Sequence, residues 1–162
     1  YALANLAVIE LSAYNFDLAS SYGLRLRSTG SVTHSIIGLT VCGIADLATG
    51  NLSSAQQAFW DLHHRTNAFQ LQLTDPSYTL AFAAECAPAM GIDPLPAIHN
   101  ALTRIAPRNI YSFLRLRLTL ARSLMTRKPA EALDICRSVL TAASAARAAT
   151  TYAQAEALLA AS

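Results

Sequence analysis

The residues best placed for chemistry lie in Asp61-Leu-His-His-Arg65. Asp61 and His64 stand three apart on one helical face, where they could share a metal ion or a proton. His63 points about 100° away from that face and cannot easily join them. The plainer reading is a solvated i,i+3 pair. His34 and His99 are isolated and read as surface or helix-end residues. No G-x-x-x-x-G-K-[ST] offers a phosphate cradle, and no G-x-G-x-x-G follows a strand. G-x-S-x-G, C-x-x-C and H-E-x-x-H are absent too. The expectation is no enzyme, no metal and no cofactor. Arg25, Arg27, Arg115, Arg117, Arg122, Arg127 and Lys128 form two basic clusters. Arg25, Arg27, Arg127 and Lys128 fall near helix C-termini, where basic residues complement the dipole.

The background against which these residues must be positioned is apolar and nearly neutral. Hydrophobic residues make up 53% of 162, charged residues 14%, and the net charge is +2. Such a chain buries enough apolar surface to offset its ordering entropy, so disorder is excluded. The small charge excess, with few aromatics among the basic residues, argues against direct nucleic-acid binding. The longest charge-free run lies between Arg27 and Asp46, but it holds Ser28, Thr29, Gly30, Ser31, Thr33, His34 and Ser35. Its apolar part is too short to span a membrane. Cys42, Cys86 and Cys136 are odd in number and far apart, so they read as reduced core thiols of a cytoplasmic protein. The chain opens on Tyr1 rather than Met, and we expect a single helical-repeat domain, 1–162, from a longer protein.

Ala, Leu, Arg and Gln dominate, and all favour helix. No stretch alternates long enough for a strand. Asp75-Pro76 and Asp93-Pro94 place an Asp at N-cap and a Pro at the first helical position, and Pro129 with Glu131 in the first turn does much the same for a later helix. Asn51 caps another. Gly30, Gly50 and Gly91 stand just past helical runs, where a left-handed residue is favoured. These signals predict helices at 3–14, 16–28, 33–49, 52–72, 76–90, 94–105, 109–126, 129–144 and 147–161. Pro88 should kink or end its helix near Ala84 to Met90. The Ala-rich end keeps a stripe of Tyr152, Ala155, Leu158 and Leu159 and reads as a helix without an outer packing partner.

The helices pair, and the pairs resemble one another. Leu39, Cys42, Gly43, Gly50, Ala55 and Phe59 carry the clearest copy, with small residues where two helices cross and larger ones between hairpins. This unit resembles the tetratricopeptide repeat. Leu80, Ala83, Ala84, Gly91 and Ala97 make a weaker copy, and Leu120, Ala121, Ala132 and Cys136 another. The crossing alanines would be Ala19, Ala55, Ala97 and Ala132, spaced 36, 42 and 35 residues apart. The period of the family is roughly 34. Its aromatic first position is missing, and no Pro follows Phe59. The resemblance implies an all-α right-handed superhelix of antiparallel helix pairs. Irregular Ala/Leu/Arg-rich copies of this kind also look like the helical-repeat region of LuxR-type bacterial transcriptional activators of the maltose-activator class. That likeness would imply a nucleotide-binding signalling domain upstream and a DNA-binding helix-turn-helix downstream.

Mapped onto the repeat, Arg115 and Arg122 fall on a first helix and face the concave side. Tyr78 and Glu85 take the equivalent places one copy earlier, and Ile37, Thr40 and Ile44 two copies earlier. Such a groove suits a protein or peptide partner or a small effector. The alternative class is a small cytosolic tetratricopeptide-type secretion chaperone, which Ala83-Ala84-Glu85-Cys86 resembles and the net charge of +2 speaks against.

Overall fold

Glycine and proline set the helix ends. Gly30, Gly50 and Gly91 take φ of 73°, 80° and 72°, the left-handed conformation that a residue without Cβ adopts most cheaply. In the computed structural model, which describes residues 2–66, 76–105 and 109–162, these turns lie among nine α-helices, and the described residues contain no strand. No described helix is long and apolar enough to cross a membrane. The chain divides into two compact units, Tyr1–Leu71 and Gln72–Ser162.

The first unit holds α1 (Ala2–Ser12), α2 (Phe16–Arg27), α3 (Val32–Ala48) and α4 (Leu52–Thr66). Residues 67–72, the expected end of α4, lie outside the described residues, as does Asp75. Each helix packs on the next, and α1 also touches α3. The tightest approach is between α2 and α3. A Cβ on Gly38 would stand 2.5 Å from the Gly23 carbonyl oxygen, and one on Gly23 would stand 2.7 Å from Cys42 Sγ. Glycine at both places lets the backbones meet. Above that contact the Cys42 thiol donates to the Ser20 carbonyl at 3.7 Å. Phe59 and Leu62 of α4 are fully buried, each stabilising the core by about 1.5–3 kcal/mol.

The second unit holds α5 (Ser77–Cys86), a 3₁₀ turn (Ala87–Met90), α6 (Leu95–Arg104), α7 (Ile110–Leu124), α8 (Pro129–Ala145) and α9 (Ala149–Ala160). As expected, Pro88 ends the α5 helix and tightens the chain into the 3₁₀ turn. Helix α7 is central, touching α5, α6, α8 and α9. Its Leu114, Leu118 and Ala121 join Cys136, Val139, Ala143 and Ala155, and Leu120 and Leu124 join Ala84, Ile98 and Ala132. Tyr152, Leu158 and Leu159 of α9 pack against the first of these clusters and remain partly exposed.

The expected crossing residues are corrected at one place. Ala19, Ala55 and Ala132 are fully buried, each the fourth residue of its helix. In α6 that position belongs to Ile98, also fully buried, while Ala97 stays half-exposed. The cause is the helix start. Asp93 Oδ1 accepts from Leu95 N–H at 3.2 Å, as a capping Asp does, but the Pro94 carbonyl takes the first helical bond, from Ile98 N–H at 3.1 Å, so α6 begins at Leu95 rather than at 94. A branched Ile now stands where a small residue would let helices close, and α5 and α6 touch only lightly.

Candidate functional site

The four residues expected to face a groove lie together on α5 and α7. The Arg115 guanidinium carbon sits 3.5 Å from the centre of the Tyr78 ring. Its Nη1 donates to Ser77 Oγ at 2.8 Å. Two turns further along both helices, Arg122 Nη1 lies 3.7 Å from Glu85 Oε1. Both contacts step in the same direction along α5 and α7. The helices can meet this closely because Thr79 and Thr119, between these rungs, and Ser77 and Ser112, just before the first, are small and nearly inaccessible. Thr119 Oγ1 donates to the Arg115 carbonyl at 2.9 Å and so turns its hydroxyl back onto α7.

The two arginines differ in kind. Arg122 and Glu85 are both well exposed, at 37% and 50%, and their long contact is screened by water. Arg115 is half-buried. A cation over a ring at this distance is attracted by the ring quadrupole, worth roughly 0.5–2 kcal/mol according to desolvation. Among the described residues, Arg115 meets a hydroxyl and a ring and no carboxylate. A guanidinium carries five N–H donors, so one bond to Ser77 leaves most of its fork for an incoming acceptor. Ser77 was not foreseen. Nothing in its local sequence marks it, and only the packing of α5 on α7 brings it to Arg115.

Ile37, Thr40 and Ile44 lie on α3 in the first unit; Thr40 is buried and the two isoleucines are half-buried. Asp61 and His64 are not brought together. Asp61 accepts from Gln57 Nε2 at 3.0 Å and pairs with Arg27 at 3.7 Å. His64 stacks on Trp60, with ring centroids 4.6 Å apart and planes 10° from parallel. His63 stacks on Phe59. Among the described residues no group of three or more His, Cys, Asp or Glu could hold a metal ion. Of the other basic residues, Arg127 pairs with Asp93 at 3.0 Å, Lys128 with Glu131 at 2.9 Å, and Arg25 and Arg117 lean on Tyr22 and Phe113. The three thiols are buried and unbridged. Burial raises the pKa of each, and Cys86, with Glu85 adding repulsion, is pushed up to about 11. A thiol so held is a poor nucleophile.

Comparison with protein-family models, with curated proteins and with solved structures finds no match.

Proposed function

We propose that this chain is a non-catalytic binding module that holds a carboxylate-bearing protein or peptide on the face shared by α5 and α7. The observation that carries the reading is Arg115, held against Tyr78 by Ser77, with no carboxylate beside it among the described residues. A guanidinium already fixed by stacking loses little side-chain entropy on meeting a carboxylate, and its fork matches both oxygens. Tyr78 supplies a rigid wall beside it.

We propose further that the helices stack as a tetratricopeptide-like right-handed superhelix of antiparallel pairs. The support is the contact of alternate helices, α1 with α3, α5 with α7 and α7 with α9, and the common direction of the two rungs. The buried fourth residue of α2, α4, α6 and α8 supports the same reading. In this reading the module belongs to the cytoplasm and to a bacterial transcriptional regulator of the LuxR type, where it would sense a partner.

The test uses the immobilised chain and an array of short random peptides bearing free or amidated C-termini. Retention should favour free carboxylates and acidic side chains. The variant with both Arg115→Ala and Arg122→Ala should lose that preference while staying folded, losing roughly 0.5–2 kcal/mol with the Arg115–Tyr78 stack and little with exposed Arg122. Equal retention by parent and double variant would remove the face from consideration.

A further inference from the structure

Gly50, Gly91 and Arg147 occupy one kind of helix end. The residue's own N–H donates to a carbonyl three residues back, and the next N–H to one five back. Gly50 bonds Leu47 and Asn51 bonds Asp46; Gly91 bonds Pro88 and Ile92 bonds Ala87; Arg147 bonds Ser144 and Ala148 bonds Ala143, all at 2.8–3.2 Å. This closure puts its central residue in the left-handed region, where a Cβ costs free energy that glycine avoids. At 147 the chain accepts that cost for an arginine, with φ of 54°. Tyr14, with φ of 63°, departs in the same way, but its ring packs edge-on against Phe16. The Arg147 side chain is exposed. Among the described residues it has no hydrogen bond, ion pair or ring partner.

The Arg147 turn borders the candidate site. Tyr111 stands one turn before Arg115 on α7, so the two share a helix face with Cβ atoms about 5–6 Å apart. The Tyr111 ring is 53% exposed. Its hydroxyl reaches the Ala146 carbonyl at 3.4 Å, beside the peptide bond that leads into Arg147. An open aromatic ring is thus bounded by Arg115 on one side and by the turn carrying Arg147 on the other. Among the described residues neither arginine lies within ion-pair distance of a carboxylate, whereas Arg27, Arg122, Arg127, Lys128 and Arg137 all do. Two cations without counter-charge make the surface around the ring complementary to negative charge, and the ring itself is a flat apolar wall.

We propose that Tyr111 and Arg147 select the partner beyond its carboxylate: an aromatic side chain lies on the Tyr111 ring and an acidic side chain meets Arg147. The proposal rests on the reading that Arg115 takes the carboxylate, and it names the sequence that bears it. The partner is a chain end with an aromatic last residue and an acidic residue shortly before it. A chain end suits Arg115, which is half-buried, because no further residue has to pass beyond the carboxylate. An extended chain advances about 3.3 Å per residue, so an acid two to four residues before the end lies about 7–13 Å from it.

The experiment is fluorescence anisotropy of the whole chain with labelled six-residue Ala peptides that end in Phe and carry one Glu two, three or four residues before the end. Each is compared with its Gln counterpart, its Ala-ended counterpart and its amidated form. The best Glu peptide should bind the parent about threefold more tightly than its Gln counterpart, the size of one exposed ion pair. High salt should shrink that advantage. Phe should be preferred over Ala at the end about fivefold, as for one aromatic pair. Arg147→Gly relieves the left-handed position, so it should melt no lower than the parent while losing the Glu preference alone. Tyr111→Ala should lose the Phe preference, and Tyr111→Phe should keep it. Equal binding of every Glu peptide and its Gln counterpart, or a Glu preference undiminished in Arg147→Gly, would overturn the role of Arg147. A Phe preference that survives in Tyr111→Ala would overturn that of Tyr111. The amidated peptides keep the two readings apart. If the parent does not distinguish them from the free carboxylates, the Arg115 reading falls; if it does while the Glu and Phe preferences are absent, the present proposal falls alone.

Discussion

The backbone of Gly23 on α2 faces that of Gly38 on α3 so closely that a single added carbon at 38 would stand 2.5 Å from the carbonyl oxygen at 23. The neighbour in the way is backbone, which cannot rotate aside. Gly38→Ala should therefore force the helices apart and destabilise the chain by about 1–3 kcal/mol, as overpacking does. Gly23→Ala meets mainly the Cys42 thiol, a side chain, and should cost less. Urea denaturation of the two variants would measure the difference. Equal stability of parent and Gly38→Ala would mean that α2 and α3 do not meet there.

The crossing positions make a second set of variants. Ala55 is fully buried and Gly43 is buried, so Ala55→Leu and Gly43→Leu should each cost about 1–3 kcal/mol. Ile98→Ala should cost about 2–5 kcal/mol, because its cluster cannot fully collapse. Ala97→Leu, on a half-exposed site, should stay within about 0.5 kcal/mol of the parent. A larger loss at Ala97 than at Ile98 would return α6 to the register that spacing alone suggests.

Those contrasts mark what the sequence discloses. Gly30, Gly50 and Gly91 announce their turns because only glycine enters the left-handed region without penalty. Tyr14 and Arg147 take the same conformation, with φ of 63° and 54°, and nothing in their type signals it. For the turns after α1 and α8 only the flanking pattern speaks, and it gives helix bounds of 14, 144 and 147 where the structure has 12, 145 and 149. The start of α6 depends on which carbonyl takes the first helical bond, and here Pro94 takes it from Ile98 N–H while Asp93 still caps through its side chain. At the candidate site, mapping onto the repeat gives Tyr78 and Glu85 places equivalent to Arg115 and Arg122, and only the packing of α5 on α7 pairs Tyr78 with Arg115 and Glu85 with Arg122. The partnership of Ser77 with Arg115, and of Arg27 with Asp61 in the first unit, needed three-dimensional packing. No local pattern links residues 38 or 34 positions apart.

Alkaline pH should unfold the chain partly through Cys86. Its thiol stays neutral in the folded chain up to about 11, against an ordinary value of 9.0. Between those limits the unfolded chain releases the proton first, so the stability held below pH 9 is lost progressively as pH rises toward 11. Thermal melts of parent and Cys86→Ala across that window should show a steeper decline in the parent. Parallel declines would show that the buried thiol does not contribute. On the acid side, Asp93 has its carboxyl held down by the Leu95 N–H and by Arg127. The corresponding stability is present above the ordinary carboxylate range and fades as pH falls through the lowered value.

The binding role of Arg115 is tested most directly by the affinity of a short Ala/Glu peptide with a free C-terminal carboxylate, measured against its amidated counterpart by fluorescence anisotropy. Parent protein should prefer the free carboxylate about tenfold, the scale of one fork-to-carboxylate contact. Arg115→Lys keeps the charge but loses the planar stack on Tyr78, and should retain only part of the preference. Arg115→Ala should abolish it, while Arg117→Ala, on a side chain leaning on Phe113, should not. A preference for the free carboxylate that survives in Arg115→Ala would contradict the assignment of the α5–α7 face.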